Sequence, residues 1–174
     1  MKNLLLLLLT AFTLSCSNKD DNSCQGIDCL PAATQTGAGT FGCLVNGVPF
    51  VDNSGFFNCF YQFVDGEYYF GIQVEKSITD IVLIGLGSNA SNIQLNNTIQ
   101  LNNDEPQNFY AGINLINLGG TIKTTNETDG TIYFTKIDLQ NNIVSATFEF
   151  TVIDPNTGIT YNITKGRFDA HFTN

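Results

Sequence analysis

The sequence predicts an all-β chain, a single antiparallel β-sandwich or flattened β-barrel of about nine or ten strands with little helix. Three observations predict it. Short segments alternate apolar and polar residues with a period of two, which sets one face of a strand against a core. Pairs such as Asn46-Gly47, Asp65-Gly66 and Asn141-Asn142 separate those segments, and such pairs favour the turns that join antiparallel strands. No run of a dozen residues places apolar side chains at i, i+3, i+4 and i+7 between caps, as an amphipathic helix requires.

In chain order, Phe41-Gly42-Cys43-Leu44-Val45 enters Asn46-Gly47 and leaves through Val48-Pro49-Phe50, a hairpin signal. Phe57-Asn58-Cys59-Phe60-Tyr61-Gln62-Phe63 alternates, turns at Asp65-Gly66 and returns as Tyr69-Phe70-Gly71-Ile72-Gln73-Val74-Glu75. Ile81-Val82-Leu83-Ile84 is a continuous apolar run, as in a strand buried on both faces. Positions 88–108 are rich in Asn and Gln, and the isolated Ile93, Leu95, Ile99 and Leu101 predict a weak strand plus loop at a packed edge. Positions 109–118 form the next strand and 131–139 another. Ser145-Ala146-Thr147-Phe148-Glu149-Phe150-Thr151-Val152 alternates strictly, so Ala146, Phe148, Phe150 and Val152 face inward. After the turn Asp154-Pro155-Asn156-Thr157-Gly158, Ile159, Tyr161 and Ile163 line one strand, and Phe168, Ala170 and Phe172 line the last.

The N-terminus has a different character. Met1-Lys2 precedes six leucines from Leu4 to Leu9, then Thr10-Ala11-Phe12-Thr13-Leu14-Ser15 and Cys16. An apolar stretch of about eleven residues is too short for a bilayer helix, which needs roughly 20, so positions 1–15 read as a cleaved signal peptide. A cysteine directly after such a stretch resembles a bacterial lipoprotein lipobox, in which the thiol is acylated before cleavage on its N-terminal side. Thr13 and Leu14 depart from the usual residues of that motif. Ser17-Asn18-Lys19-Asp20-Asp21 resembles the signal that sends Bacteroidota lipoproteins to the cell surface, with Lys19, Asp20 and Asp21 as its residues. The resemblance implies lipidation at Cys16 and an outer-membrane address facing the cell exterior. Positions 16–40 then read as the lipidated cysteine and a flexible tether, whose 24 residues after Cys16 would span roughly 27 Å as a random coil. The all-β domain occupies 41–174.

The 174-residue chain has a formal charge of −9, and loss of Lys2 with the signal takes it to −10. Its remaining cations, Lys19, Lys76, Lys123, Lys136, Lys165 and Arg167, are scattered. Binding a phosphate backbone requires clustered cations, so nucleic acid is excluded as a partner. Attraction to anionic headgroups is equally weak, which leaves the acyl chains to hold the protein on the membrane. Removing 15 residues from 174 leaves 159, the size of one domain, and a monomer is expected.

Cys24, Cys29, Cys43 and Cys59 follow Cys16. In an exported chain an even set reads as disulfides. Of three connectivities, Cys24 with Cys29 and Cys43 with Cys59 is favoured. The first pair closes a small loop, and the second would staple two early strands. Zinc is the rival, but His171, the sole histidine, is distant and the spacing is not C-x-x-C; no metal or cofactor is expected.

Other motifs point to local structure. Gly37-Ala38-Gly39-Thr40-Phe41-Gly42 spells G-x-G-x-x-G, yet no strand precedes it and no helix follows, as a dinucleotide site needs. His171 alternates with Phe168, Ala170 and Phe172, which puts it outside with Arg167 and Asp169; Ser145 would need the fold to bring it there. Acids such as Asp65, Asp104, Asp129 and Asp154 fall in turns, where Asp is a turn former, and no two stand out as a glycosidase pair. The loops at 126–130 and 154–158 offer oxygen ligands but lack the spacing of a calcium loop. Among 14 Phe, 6 Tyr and no Trp, Tyr68, Tyr69 and Tyr110 are the expected exposed binding platform.

Leu30-Pro31-Ala32-Ala33-Thr34-Gln35-Thr36-Gly37 and Thr40-Phe41-Gly42-Cys43-Leu44-Val45-Asn46-Gly47 together resemble the opening of a family of uncharacterised Bacteroidota surface lipoproteins. Ser145-Ala146-Thr147-Phe148-Glu149-Phe150 and Ile163-Thr164-Lys165-Gly166-Arg167-Phe168-Asp169 resemble that family's closing blocks, with Ala146 in place of glycine and Lys165 in place of asparagine or aspartate. The resemblance implies export and an all-β domain, and no activity. The expected function is a non-catalytic binding module for a glycan, peptide or envelope partner. The alternatives are a lipocalin-like carrier with a hollow apolar interior and a small hydrolase using paired carboxylates.

Overall fold

The computed structural model describes residues 24–78, 81–116 and 120–174. Among them eleven strands form two sheets, packed face to face as a sandwich and closed into no barrel. The strands are β1 (Thr40–Val45), β2 (Val48–Asp52), β3 (Asn58–Val64), β4 (Glu67–Ile78), β5 (Ile81–Ser88), β6 (Thr98–Gln100), β7 (Phe109–Leu115), β8 (Thr121–Lys123), β9 (Gly130–Asp138), β10 (Ile143–Ile153) and β11 (Thr160–His171). The first sheet runs β2-β1-β11-β10-β9-β6 and the second β3-β4-β5-β7-β8. Within both, neighbouring strands pair antiparallel.

Local chemistry sets the hairpins. Asn46 and Gly47 have φ of 48° and 85°, and Asp65 and Gly66 have 52° and 90°. Two successive positive φ values match the right-handed twist of paired strands. The alternating residues of β10 point inward as expected: Ala146, Phe148, Phe150 and Val152 are all buried. In the interior the aromatic rings meet edge to face, Phe41 with Phe50 within the first sheet at 6.1 Å and Phe70 with Phe134 across the two sheets at 5.3 Å. Each such ring contributes about 1.5–3 kcal/mol by burial.

Several expectations need correction. The last two predicted strands are one, β11, in which Thr164 and Lys165 together oppose Glu149 of β10. Lys165 takes φ 55° there. The extra residue of this bulge shifts the inward positions from odd (Tyr161, Ile163) to even (Phe168, Ala170), which is why the sequence reads as two strands. β5 runs on past Ile84 to Ser88, and β8 is short and gave no alternation to read. The Asn-rich stretch contributes β6, at the edge of the first sheet.

The largest correction concerns residues 24–39, which are not a loose tether. Cys24 and Cys29 are disulfide-bonded around a 3₁₀ turn at Gly26–Cys29. Leu30 is buried, and Pro31 lies so close over Gly42 of β1 that a Cβ there would meet it at 2.5 Å. From Thr34 to Ala38 the chain is strapped across the outer face of the first sheet by hydrogen bonds to Asp169. The folded unit therefore begins well before residue 41.

Candidate functional site

The outer face of the second sheet carries a depression laid out by strand register. Asn58, Gln73, Gly85, Gly112 and Lys123 fall in one row across β3, β4, β5, β7 and β8. The adjacent row is Phe60, Gly71, Gly87 and Tyr110. The two rows share a face because their positions in each strand differ by two. Glycines in the middle and larger residues at both sides leave a shallow trough of about 210 Å³.

Two rings form its aromatic wall. Phe60 lies over Gly71, where a Cβ would come within 2.4 Å of the ring, and Tyr110 lies over Gly87, where a Cβ would be 2.8 Å from the phenol oxygen. Such cross-strand cover of a glycine stabilises the sheet, and it places both rings on its outer face. Gly85 is uncovered: a Cβ there would find only ordinary contacts, at 3.5 Å to the Ile72 carbonyl and 3.8 Å to Leu83.

The polar groups of the trough are mutually neutralised. Lys123 is ion-paired with Asp104 and sits 5.1 Å from the centre of the Tyr110 ring. Burial, then the Asp104 carboxylate, push the Tyr110 phenol pKa up, with Lys123 opposing, so the phenol is a neutral hydrogen-bond donor at physiological pH. The Gln73 amide donates to Glu75 at 3.4 Å. The row beyond the trough is Glu75, Leu83, Asn114 and Thr121. Among the described residues, Asn114 Oδ1 is the one buried side-chain polar atom without a hydrogen-bond partner, and Asn114 lies outside the lining of the trough.

The expected tyrosine platform forms only in part. Tyr69 and Tyr110 share the outer face, but Tyr68, next to Tyr69 in β4, points to the opposite face, as strand geometry demands. It stacks on Tyr61 at 4.8 Å and meets Phe63 at 4.8 Å, making a separate aromatic cluster at one end of the sandwich. Phe60, the second ring of the trough, was not foreseen as a site residue. The signal was there in Phe60-Tyr61 beside Gly71, since aromatic and glycine stand opposite each other once the Asp65-Gly66 hairpin is registered.

The outer face of the first sheet holds the strap and its anchor. Asp169 is 1% exposed and Ser145 fully buried, although both point away from the core. Asp169 accepts hydrogen bonds from the Thr34 hydroxyl (2.7 Å), the Thr36, Gly37 and Ala38 N–H groups (2.8, 2.9 and 3.1 Å) and the Ser145 hydroxyl (2.7 Å). Burial raises its pKa, but these donors outweigh burial and hold the carboxyl well below the usual range. Asp169 was expected outside with Arg167 and His171. It does lie on that face, but the strap covers it. Register brings Ser145, Asp169 and His171 together, yet not as a triad: Ser145 donates to the carboxylate, and His171 Nδ1 lies 3.2 Å from the Asn141 carbonyl. Beside the strap is a wider hollow of about 520 Å³, between Tyr133, Thr147, Glu149, Lys165 and Arg167. Arg167 is already committed to the carbonyls of Pro31 and Lys165.

The cysteine expectations divide. Cys24–Cys29 is bonded, whereas Cys43 and Cys59 are free, buried thiols and not the expected pair. Cys43 is on β1 of the first sheet and Cys59 on β3 of the second. Alternation correctly points both inward, but which sheet each joins is set by long-range pairing. Burial pushes both pKa values up to about 12, so both stay protonated at neutral pH and inert.

Among the described residues no group of three or more His, Cys, Asp or Glu is arranged to hold a metal ion, and no helix is long and apolar enough to cross a membrane. The signal segment, Cys16, Lys19, Asp20 and Asp21 lie outside the described residues. Compared with known proteins, the chain matches no family model, no curated protein and no solved structure.

Proposed function

We propose that the chain is a lipid-anchored lipoprotein of the outer cell surface whose sandwich is a non-catalytic binding module, with the trough on the second sheet as its binding site. The address rests on the N-terminal sequence and on the resemblance to Bacteroidota surface lipoproteins. The single observation that carries the binding reading is the glycine-floored trough walled by Phe60 and Tyr110. A flat apolar surface fringed by amides and a phenol suits a ligand that is partly apolar and partly hydrogen-bonding.

The rival readings have less behind them. A carrier needs an enclosed cavity, and here Phe41, Phe50, Phe70 and Phe134 occupy the space between the sheets. A hydrolase needs free acids or a free nucleophile. In the trough Asp104 is paired with Lys123 and Glu75 with Gln73, and beneath the strap the Ser145 hydroxyl is given to Asp169.

The test compares cells displaying the full chain with cells displaying Tyr110→Ala, each offered fluorescent glycans and peptides of extracellular type. Retention by the parent and loss of about tenfold in the variant is the expected outcome. Equal retention by both would overturn the trough as the site.

A further inference from the structure

We infer that the ligand of the trough is a neutral, unbranched oligosaccharide lying across the strands, an inference that rests on the binding reading above and names its ligand class.

The first argument is shape. The trough runs along one register row, from Gln73 over Gly85 and Gly112 to Lys123. The side chains of Thr121 and Lys123 close over Gly112, so the open floor centres on Gly85 within a volume of about 210 Å³, which seats one sugar ring of the chain and leaves its neighbours to the rims. Along one side lie the Phe60 and Tyr110 rings, over Gly71 and Gly87. A pyranose presents a face of axial C–H groups that packs on such a ring, and equatorial hydroxyls that reach outward to amides such as those of Asn58 and Gln73.

The second argument is the main chain. β4, β5 and β7 lie inside the second sheet and pair on both sides. Their backbone N–H and C=O groups are spent, so an extended peptide finds no edge to add to as a strand. The edges themselves are closed to it: β8 has three residues, and β3 is bridged by Thr173, which exchanges main-chain hydrogen bonds with Tyr61 and Cys59 at 3.0 Å each. Recognition here is by side chains and by faces, which a glycan supplies.

The third argument is charge. Lys123, the cation of the trough, is neutralised by Asp104, with Glu75 in the next row and a chain charge of −9 around them. A uronic-acid or phosphate polymer would be repelled. An uncharged chain of hydroxyls meets no such repulsion.

Calorimetric titration of the full chain in detergent tests this with xylohexaose, cellohexaose and maltohexaose as neutral probes, hexagalacturonate as the anionic probe and a threonine-valine hexapeptide as the peptide probe. At least one neutral probe is expected to bind, about tenfold or more weaker to Gly85→Val and to Tyr110→Ala. Gly85→Val raises the floor at a site where a Cβ has room, in a residue type strands favour, so its melting temperature is expected to hold or rise while binding falls. Binding of hexagalacturonate or the hexapeptide alone, with the same loss in Gly85→Val, would overturn the neutral-glycan inference and leave the trough as a binding site. Neutral-probe binding undiminished in both variants would overturn the site itself, and no binding of any probe would overturn both.

Discussion

At the scale of single residues, Asp169 does the most. It holds Thr34, Thr36, Gly37, Ala38 and Ser145 at once, and no cation is needed because the donors themselves solvate the carboxylate. Asp169→Ala removes the acceptor of several donors, each costing about 1–3 kcal/mol if left buried. Peeling of the strap into water relieves part of that, so a loss of about 2–4 kcal/mol is expected in urea unfolding. The pH dependence has a definite sign. The folded pKa is depressed, so this stabilisation is complete above the unfolded carboxyl value near 3.9 and is lost as pH falls below it toward the folded value. Asp154, held low by the Thr157 hydroxyl and the Asn156 N–H, contributes in the same direction. The melting temperature is expected to drop as pH falls below about 4, and less steeply in Asp169→Asn. The thiols give a second residue-scale check. Cys43 and Cys59 are expected to resist iodoacetamide in the native chain and to be labelled in urea without any reductant; failure to label in urea would mean that they are bonded after all.

At the scale of elements, the strap and the bulge of β11 carry the predictions. A chain beginning at Phe41, the boundary the sequence predicts, forfeits the burial of Leu30, the cover of Pro31 over Gly42 and every strap bond to Asp169. It is expected to melt about 10 °C below a chain beginning at Cys24, a shift that scanning calorimetry would read directly. Lys165 occupies the left-handed region at φ 55°, where a side chain costs about 1 kcal/mol and glycine costs nothing. Lys165→Gly is therefore expected to be neutral or stabilising by up to about 1 kcal/mol, and Lys165→Val destabilising by about 1–2 kcal/mol, in the same urea titration. If both variants lose stability equally, the bulge conformation is not the cause.

At the scale of the whole molecule, the two outer faces of the sandwich are covered differently. The outer face of the first sheet is given to the strap, so the chain leaves the domain already bound to it. Only residues 17–23 separate Cys16 from the described structure, a span of at most about 25 Å fully extended. With the lipid anchor proposed above, that holds the sandwich closer to the membrane than a 24-residue coil would. The outer face of the second sheet carries no such strap and holds the trough proposed above as the binding site. A fluorophore on the domain is expected to report a distance to the bilayer surface of that order or less by energy transfer; a much longer distance would mean that the strap is released on the membrane.

Much of this was legible in the residues. The period-two alternation of 145–152 fixed its inward face, the Asn46-Gly47 and Asp65-Gly66 pairs fixed two hairpins, and the apolar N-terminus and Cys16 carry the proposed address. These are local properties, decided by neighbours one or two positions away. What the tertiary structure alone decided depends on residues far apart in sequence. Asp169 reads as a surface acid until the chain 135 residues earlier folds over it. Cys43 and Cys59 read as partners, yet folding leaves them on β1 and β3 as two free buried thiols. The trough exists only because register aligns Gly85 with Gly112 and sets Phe60 and Tyr110 over Gly71 and Gly87. Alternation says which way a side chain points; only the pairing of strands across the chain says what it will meet there.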